Sequence, residues 1–282
     1  MTNPSPLSSP DMATVLSSLS NSNVFITGGT GFVGKVLIEK LMRCVKSAKL
    51  LYILVRPRKG QSAEQRLRDE IINSRVFDRL REEIGEATFE KIAQEKLRAV
   101  SGDLVQKELG IDKEMQQELI EKVDVIFHGA ASIDFNLRLD LAIEMNVKGS
   151  LRVLALARQC QHLRAMVHIS TAYVNCVRSG FVEERFYPIR FDPNELLDSI
   201  SKLTVYELEN VAVEGLIGDW PNTYTFTKFI AYVLIVLCHI IDEVSPHSFL
   251  YLKSLQRTSH GSAARRCPFS HCAPIDYCKC LA

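Results

Sequence analysis

The sequence has almost no net charge, only one tryptophan and no long apolar run. Among 282 residues, 34 Lys and Arg nearly balance 33 Asp and Glu, for a formal net charge of +1. This balance argues against nucleic acid as a partner, since nucleic-acid binding calls for a concentrated basic face. The longest apolar run, at 229–241, has 13 residues. It is shorter than the roughly 20 residues that cross a bilayer, so no transmembrane anchor is predicted.

The two ends of the chain also lack familiar signals. Residues 1–22 are rich in Ser and Pro but have neither the basic start nor the apolar centre of a secretory signal, so they predict a flexible leader. Four of the eight cysteines are scattered, which is typical of reduced thiols in a cytosolic compartment. The other four lie near His271 at a spacing that matches no standard zinc site, so no metal is predicted.

A glycine pattern follows the leader. Residues 23–34 read Asn-Val-Phe-Ile-Thr-Gly-Gly-Thr-Gly-Phe-Val-Gly, which is a short β-branched strand that breaks into a turn and continues as an amphipathic helix. Gly28 suits a tight turn, Gly31 lets backbone N–H groups approach a pyrophosphate, and Gly34 lets the helix pack on the strand. The pyrophosphate charge would face the positive end of that helix. The pattern alone is weak, but it indicates a dinucleotide site.

The elements around this turn alternate between strand and helix. A helical stripe at 35–45 and an apolar run at 50–55 complete a strand–turn–helix–strand unit. The order predicts an α/β fold with a doubly wound, Rossmann-like parallel sheet. Further strands are predicted at Leu97–Ser101, 123–128 and Ala165–Ile169, with one helix at 139–159 between the last two.

Residues 63–95 interrupt the alternation with about two charged helices. Charge runs on helices are usually solvated faces, so the simpler interpretation is a helical insertion on the rim of the sheet. The alternative is a substrate-facing or membrane-facing surface. Both interpretations stay open at this point.

Cations stand where an NAD-binding fold places an acidic residue. The second strand ends in Arg56, followed by Arg58 and Lys59, about 20 residues beyond the last motif glycine. A guanidinium matches the geometry of a 2′-phosphate, which favours NADPH over NADH. The alternative is that these are ordinary solvated loop charges.

Further small and polar residues follow the predicted strands at the edge where open α/β sheets bind ligands. Asp103 could accept from the adenine amino group, although a loop-capping role explains it nearly as well. Small residues at Gly129, Ala130 and Ala131 would let a ribose lie close to the backbone. Ser170 and Thr171, which carry hydroxyl groups, directly follow the fifth predicted strand.

Tyr224 and Lys228 lie four residues apart at the predicted start of a helix, and therefore on one face of it. A phenol is a poor acid–base group until a neighbouring cation favours its ionised form, and Lys228 could supply that charge. Such a pair is common by chance. Together with this sheet and with Ser170 and Thr171, it indicates a reductase site.

In combination, these motifs resemble those of the fatty acyl-CoA reductases, the male-sterility-type members of the extended short-chain dehydrogenase/reductase superfamily. Another extended reductase, such as a nucleotide-sugar enzyme, would share the glycine turn and the Tyr/Lys pair but would not explain the insertion. The stretches that carry the resemblance are 27–34, 73–80, 128–131 with 146–149, and 168–175 continuing to 182–188.

The resemblance implies NADPH-dependent reduction of a long-chain fatty acyl-CoA, through an aldehyde, to a fatty alcohol with release of CoA. Tyr224 would be the acid, and Lys228 would hold the nicotinamide ribose and lower the pKa of Tyr224. Thr171, with Ser170 as second choice, would donate to the carbonyl oxygen, and Asn146 would support the proton path or the local backbone. The implied cofactor-binding residues are Thr27, Gly28, Gly31, Phe32, Val33, Gly34, Arg56, Arg58, Asp103, Leu104, Gly129, Ala130, Ala131, Tyr224 and Lys228.

The resemblance ends after Lys228. We therefore expect a leader at 1–22, an incomplete NADP-binding reductase domain at 23–240 with its insertion at 63–95, and an irregular, disordered tail at 241–282. The family also implies the cytosolic face of a peroxisomal or endoplasmic-reticulum membrane, yet the expected anchor and sixth strand are missing. The alternatives are a protein soluble in the cytosol and a truncated isoform that binds NADPH or a partner without turnover.

Overall fold

The computed structural model describes residues 15–183, 187, 189, 191–210, 213–241 and 248–252. Most of the predicted leader and tail, including the cysteines near His271, lies outside these ranges. The chain divides into two compact units. Of the described residues, the first unit comprises those up to Asp103, Ile111–Phe127 and Cys160–Leu163, and the second comprises Leu104–Gly110, His128–Gln159 and those from Arg164 onwards.

The first unit is built on parallel strands made from the apolar runs of the sequence. All residues of β1 (Val24–Thr27) and β2 (Leu51–Val55) are buried, as expected of strands covered on both faces. Val24 of β1 pairs with Leu51 of β2, which in turn pairs with Leu97 of β3. The strands β3 (Leu97–Ser101) and β4 (Val125–His128) complete the order β3-β2-β1-β4.

The insertion contributes to the core of this unit, which corrects the expectation of a mainly solvated rim. Phe77 and Phe89 are fully buried, with ring centroids 5.5 Å apart. The guanidinium of Arg81 lies 4.3 Å above the Phe89 ring. Charged residues cover this apolar contact, which the charge pattern alone conceals. The helices of the first unit are α1 (Phe32–Cys44), α2 (Ala63–Arg66, continued by a π-helical turn at Leu67–Ile72), α3 (Asp78–Ile84), α4 (Glu86–Lys96) and α5 (Lys113–Lys122).

The second unit contains β5 (Ala165–Ile169) and most of the remaining helices. The single helix predicted at 139–159 is divided by a π-helical turn at Glu144–Lys148, a feature common at functional sites. The helices are α6 (Leu139–Ile143), α7 (Gly149–Gln159), α8 (Pro193–Ser201), α9 (Val205–Asn210), α10 (Val213–Ile217) and α11 (Thr223–Ile241).

A sixth strand, β6 (Ser248–Leu252), pairs in parallel with β5. Its register places Ala165 opposite Ser248 and Ile169 opposite Leu252. The expectation that this chain lacks a sixth strand is therefore wrong, because a β-rich segment five residues long lies inside the stretch predicted to be irregular. The sequence Ser-Phe-Leu-Tyr-Leu has the aromatic and apolar content of a buried strand.

These elements confirm the predicted class, an α/β fold with parallel strands and connecting helices. Of the four strands predicted with bounds, three agree with the observed bounds to within one residue, and 123–128 begins two residues later, at Val125. The strand predicted before the glycine turn is β1. In the part of the chain that the structure describes, no helix combines the length and apolarity needed to cross a bilayer.

Candidate functional site

The glycine turn has the geometry that its spacing predicts. Gly28 has a φ of 80°, in the left-handed region that favours glycine. The N–H of Gly31 donates to the Gly28 carbonyl at 3.0 Å. A Cβ atom at Gly34 would lie 2.1 Å from that same carbonyl oxygen, so only glycine lets α1 approach the turn this closely.

The start of α1 has the features of an anion site. Gly31 is its N-cap, no side chain caps the first N–H groups, and the first turn has no acidic residue. Phe32 and Val33 at this end are 79% and 56% exposed, whereas Thr27 at the end of β1 is buried. The backbone donors and the exposed helix end fit a pyrophosphate group.

Arg56 and Arg58, the cations after β2, both have acidic neighbours. A nitrogen of Arg56 lies 3.8 Å from Asp103, and a nitrogen of Arg58 lies 3.3 Å from Glu70. The Arg56 and Arg58 side chains remain more than half exposed, so both guanidinium groups can also reach a ligand. Two predicted cofactor residues, Arg56 and Asp103, are thus brought together within the first unit.

Arg66 is a residue that the sequence reasoning missed. It is 4% exposed and donates to the backbone carbonyl of Arg56, which fixes the position of the chain just after β2. It also forms two hydrogen bonds with Glu70, at 2.7 and 2.9 Å. The Arg66 hydrogen bonds, with weaker contributions from Arg58 and Lys35, hold the pKa of Glu70 below its ordinary value. Through Arg66 and Glu70, the insertion therefore positions the segment that follows β2.

The remaining predicted cofactor residues belong to the second unit. Gly129 is exposed, Ala130 and Ala131 are half-buried, and all three follow β4. Leu104 is buried, and its carbonyl accepts from Arg152 at 2.8 Å. A Cβ atom at Gly149 would lie 3.3 Å from the Leu104 Cβ, which shows how tightly Leu104 packs against this part of the chain.

The second unit joins Tyr224, at the start of α11, to the hydroxyl that follows β5. The Tyr224 phenol is hydrogen-bonded to the Thr171 side chain, and both residues are largely buried. Burial is the largest effect on Tyr224 and raises its pKa above 10.0, although the Thr171 hydrogen bond acts in the opposite direction. The expected lowering by Lys228 is therefore not observed. At neutral pH the phenol keeps its proton and can act as a donor.

Ser170, the second candidate hydroxyl, is placed differently. Its side chain is 7% exposed, and its Oγ has no hydrogen-bond partner among the described residues. Thr171 Oγ1 accepts from the N–H of Tyr173 at 3.3 Å in addition to its bond with Tyr224. The geometry therefore links Thr171, rather than Ser170, to the phenol.

Lys228 lies one helical turn beyond Tyr224 and is 3% exposed. Its Nζ donates to the carbonyl of Ile169, the last residue of β5, at 2.9 Å. Burial lowers the pKa of Lys228 from 10.5 to about 8. The ammonium has three donors and is anchored to the strand end by one of them, which fits a role in holding a ligand hydroxyl.

The lowered pKa predicts a stability change with pH. Between about 8 and 10.5 the unfolded chain keeps a proton on Lys228 that the folded chain releases, so stability rises with pH in this window. Relative to Lys228→Met, the unfolding free energy of the wild type should rise by about 2 kcal/mol from pH 7 to pH 9.5. Denaturant titrations at both pH values measure the difference. An equal pH response in the two proteins would contradict the buried ammonium.

Asn146 lies in the π-helical turn and is 1% exposed. Its Oδ1 accepts from the N–H of Ser132 at 2.8 Å, and its Nδ2 donates to the Ser132 carbonyl at 3.2 Å and to Thr227 Oγ1 at 3.0 Å. Thr227 directly precedes Lys228 and is fully buried. Of the two roles considered for Asn146, these contacts favour support of the backbone and α11.

The Asn146–Thr227 hydrogen bond is a testable positioning contact. In Thr227→Val the shape is nearly retained but the Asn146 donor loses its acceptor, which we expect to cost about 1–3 kcal/mol of unfolding free energy. Thr227→Ser should recover most of this loss because it restores the hydroxyl. Urea unfolding of the three proteins provides the measurement. If Thr227→Ser costs more than Thr227→Val, methyl packing rather than the hydrogen bond is what matters.

Two buried histidines lie in neighbouring segments of the second unit, His128 at the end of β4 and His168 in β5. His128 and His168 have ring centroids 5.1 Å apart and are almost fully buried. The Ser150 hydroxyl donates to the Asn146 carbonyl, so the His128 Nε2 at 2.9 Å from Ser150 is the donor in their contact. Burial, with the Lys228 charge, lowers the pKa of His128 to about 3 and that of His168 well below 6.5. Both rings are therefore neutral.

Within the described ranges, no cluster of three or more His, Cys, Asp or Glu side chains is arranged to hold a metal ion. The cysteine-rich end near His271 lies outside those ranges, so the expectation for that segment stays a prediction.

The family comparison covers most of these residues. A model of an NAD-binding domain, described as male sterility protein, matches residues 26–239. The match extends from β1 through the Tyr224–Lys228 pair and nearly to the end of α11.

Curated relatives match the same region. The chain is 43% identical over 209 residues to fatty acyl-CoA reductase 1 of Gallus gallus, covering 74% of this chain and 39% of that protein. It is 39% identical over 224 residues to fatty acyl-CoA reductase 2 of Mus musculus, covering 79% of this chain and 42% of the relative. The chain thus spans about two fifths of the length of these relatives.

Solved structures share the fold at lower identity. The terminal R domain from the myxalamid PKS-NRPS biosynthetic pathway has a TM-score of 0.57 at 21% identity, covering 83% of this chain and 48% of that one. The reductase domain of a nonribosomal peptide synthetase from Mycobacterium tuberculosis has a TM-score of 0.54 at 24% identity, covering 86% and 51%. These likenesses establish the Rossmann-like fold of the described elements.

Proposed function

Because the chain belongs to the male sterility protein family, we propose that it reduces a long-chain fatty acyl-CoA to a fatty alcohol with NADPH and releases CoA. The family is one of NAD(P)-dependent oxidoreductases, and a nicotinamide cofactor follows from membership. The choice of NADPH, the acyl-CoA substrate and the alcohol product are the proposal. The hydrogen bond between Tyr224 and Thr171, with Lys228 on the same helix, is the observation that carries it.

The residues of the glycine turn fit the cofactor. The backbone N–H groups at the start of α1 would bind the pyrophosphate, and the absence of a first-turn acid favours that charge. Arg56 and Arg58 would bind the 2′-phosphate of NADPH. When bound, the reduced nicotinamide supplies a hydride.

In the first reduction, Thr171 would donate a hydrogen bond to the thioester carbonyl oxygen and Tyr224 would transfer its phenolic proton to that oxygen as charge develops. The product is a hemithioacetal. It loses CoA as the thiol when the carbonyl re-forms, which gives the aldehyde. The raised pKa of Tyr224 keeps the proton available for this step.

In the second reduction, the same groups would act on the aldehyde. Tyr224 would again protonate the carbonyl oxygen as the aldehyde is reduced by the second NADPH, which would give the primary alcohol. Overall, one acyl-CoA and two NADPH, with two protons, yield one alcohol, one CoA and two NADP⁺. Lys228 would hold the ribose hydroxyls while its Ile169 contact fixes its position.

The direct test is turnover by the purified full chain with palmitoyl-CoA and NADPH. We expect NADPH consumption together with free CoA thiol and hexadecanol in a 2:1:1 ratio, as the stoichiometry requires. Nicotinamide fluorescence measures cofactor binding in parallel. Binding without aldehyde or alcohol would overturn the proposed reduction and favour the isoform that binds NADPH without turnover.

Arg56→Ala tests the cofactor preference. Because the guanidinium would pair only with the 2′-phosphate, we expect the Kd for NADPH to rise about tenfold and the Kd for NADH to stay within about twofold. Arg75→Ala is the matched control, since its side chain is 98% exposed. Fluorescence titration gives both constants. If the Kd values for NADPH and NADH rise by the same factor, Arg56 does not recognise the 2′-phosphate.

A further inference from the structure

Phe135, in the segment between β4 and α6, packs against the ring of Tyr224. The two ring centroids are 5.5 Å apart, and the ring planes are tilted by 30°. Aromatic pairs at this distance attract each other beyond the effect of the apolar area that they bury. Phe135 is itself 39% exposed, so a residue at the surface covers a phenol that is largely buried. Tyr224 is thus contacted at two points, at its hydroxyl by Thr171 and at its ring by Phe135.

The backbone at Phe135 is tied to the residue that directly precedes Tyr224. The hydroxyl of Thr223 lies 3.2 Å from the carbonyl oxygen of Phe135 and 2.8 Å from that of Leu137, and it donates to them. Thr223 is 5% exposed, so this contact is shielded from water. Because Thr223 and Tyr224 are adjacent at the start of α11, the contact fixes Phe135 relative to the phenol.

The segment 132–137, which we call the Phe135 loop, is also held at its other end. The side-chain amide of Asn146 pairs with both backbone groups of Ser132, its N–H and its carbonyl. Inside the loop, Asp134 Oδ1 accepts from the N–H of Asn136 at 2.9 Å, which is the local bond of an Asx turn. The backbone of the loop is therefore fixed on both sides of its aromatic residue.

We propose that Phe135 is a positioning residue for the reduction, which holds the ring of Tyr224 so that its hydroxyl stays on Thr171 and which keeps water away from the phenol. The proposal rests on the proposed function and adds a residue that acts through Tyr224. A positioned acid works only while its hydroxyl points at the substrate oxygen, and a displacement of about 1 Å can cost about 100-fold in rate. Burial is also the largest effect on the pKa of Tyr224, and the Phe135 ring supplies part of that cover.

Phe135→Ala removes the ring but keeps the backbone carbonyl that Thr223 binds. We expect kcat for palmitoyl-CoA to fall about 10- to 100-fold because the phenol gains freedom to rotate, while KM and the Kd of NADPH stay within about twofold. Phe135→Tyr keeps an aromatic ring and should bring kcat to within about threefold of the wild type. Phe181→Ala is the matched control, because Phe181 is 91% exposed in the same unit, and its kcat should equal that of the wild type.

Nitration by tetranitromethane tests the cover of Tyr224 without any turnover. The reagent attacks accessible, ionised phenols, and peptide mass spectrometry measures each tyrosine of the folded full chain separately. In the wild type at about pH 8, Tyr224 should react about tenfold more slowly than Tyr206, which is 69% exposed. Phe135→Ala should raise the rate at Tyr224 about threefold or more and leave Tyr206 unchanged, whereas Phe181→Ala should change neither.

Tyr52 reports on folding in the same experiment, because it is fully buried in the first unit and should stay unmodified. If Tyr52 reacts in Phe135→Ala, that variant is unfolded and Phe135→Leu replaces it. Leucine keeps much of the apolar volume but not the ring. We then expect a smaller fall in kcat, about three- to tenfold, again with KM and the Kd of NADPH unchanged.

The other outcomes overturn the assignment. An unchanged kcat in Phe135→Ala, equal losses in Phe135→Ala and Phe135→Tyr, or an equal loss in Phe181→Ala would each exclude a positioning role for this ring. A rise in KM or in the Kd of NADPH at constant kcat would make Phe135 a binding residue instead. Turnover by the wild type with unchanged nitration of Tyr224 in Phe135→Ala would reject the cover alone. Faster nitration of Tyr224 in that variant, without turnover by the wild type, would reject the reduction alone.

Discussion

Tyr224→Phe should lower kcat for reduction of palmitoyl-CoA by about 100- to 10,000-fold, which is the usual contribution of a positioned acid. The substitution removes only the hydroxyl that transfers the proton and that contacts Thr171. The ring and its contact with Phe135, whose centroid lies 5.5 Å away, are retained. NADPH consumption and alcohol formation by the two proteins give the ratio.

The control for this prediction is Tyr206→Phe. It makes the same chemical change at a residue that is 69% exposed on α9, and kcat should remain within about twofold of the wild type. The Kd of NADPH should be similar in all three proteins, which separates catalysis from cofactor binding. A Tyr224→Phe protein that keeps full activity would remove the phenol from the mechanism.

Gly34→Ala should strongly weaken nucleotide binding and raise the Kd of NADPH by about 100-fold or more. The added methyl group would lie 2.1 Å from the Gly28 carbonyl oxygen and 2.8 Å from the Gly29 Cα, both backbone atoms that no rotamer change can move. Helix α1 must therefore shift away from the turn whose N–H groups would hold the pyrophosphate. Overpacking of this kind costs about 1–3 kcal/mol of stability. Fluorescence titration and thermal unfolding measure the two effects.

Gly215→Ala is the matched control, since Gly215 lies in α10 and an added Cβ atom there meets nothing within 4 Å. It should bind NADPH normally and unfold within about 1 kcal/mol of the wild type. If Gly34→Ala also binds normally, the close approach of α1 to the turn is not needed for the cofactor.

The strands and the glycine turn were predictable because each depends on neighbours in the chain. β1 and β2 are apolar or β-branched runs, and the turn needs residues that only glycine supplies at Gly28 and Gly34. The pairing of Tyr224 and Lys228 on one helical face also follows from local spacing. In the same way, Arg56 could be placed at the end of β2 from sequence alone.

What the sequence could not determine depends on contacts between distant residues. Arg66 holds the carbonyl of Arg56, and Phe77 is buried against Phe89, although the charge pattern of that segment indicates exposure. The strand β6 was missed because its backbone N–H and C=O groups pair with those of β5, which lies about 80 residues earlier in the chain.

The electrostatics of the site were likewise decided by tertiary structure. The sequence places a cation four residues from Tyr224 and so suggests a lowered pKa, but burial dominates and raises it. Burial also lowers the pKa of Lys228 to about 8 and keeps His128 neutral. Desolvation depends on everything packed around a group. The sequence alone therefore determined which groups are present and on which element they lie, and only the folded chain determined their protonation and their partners.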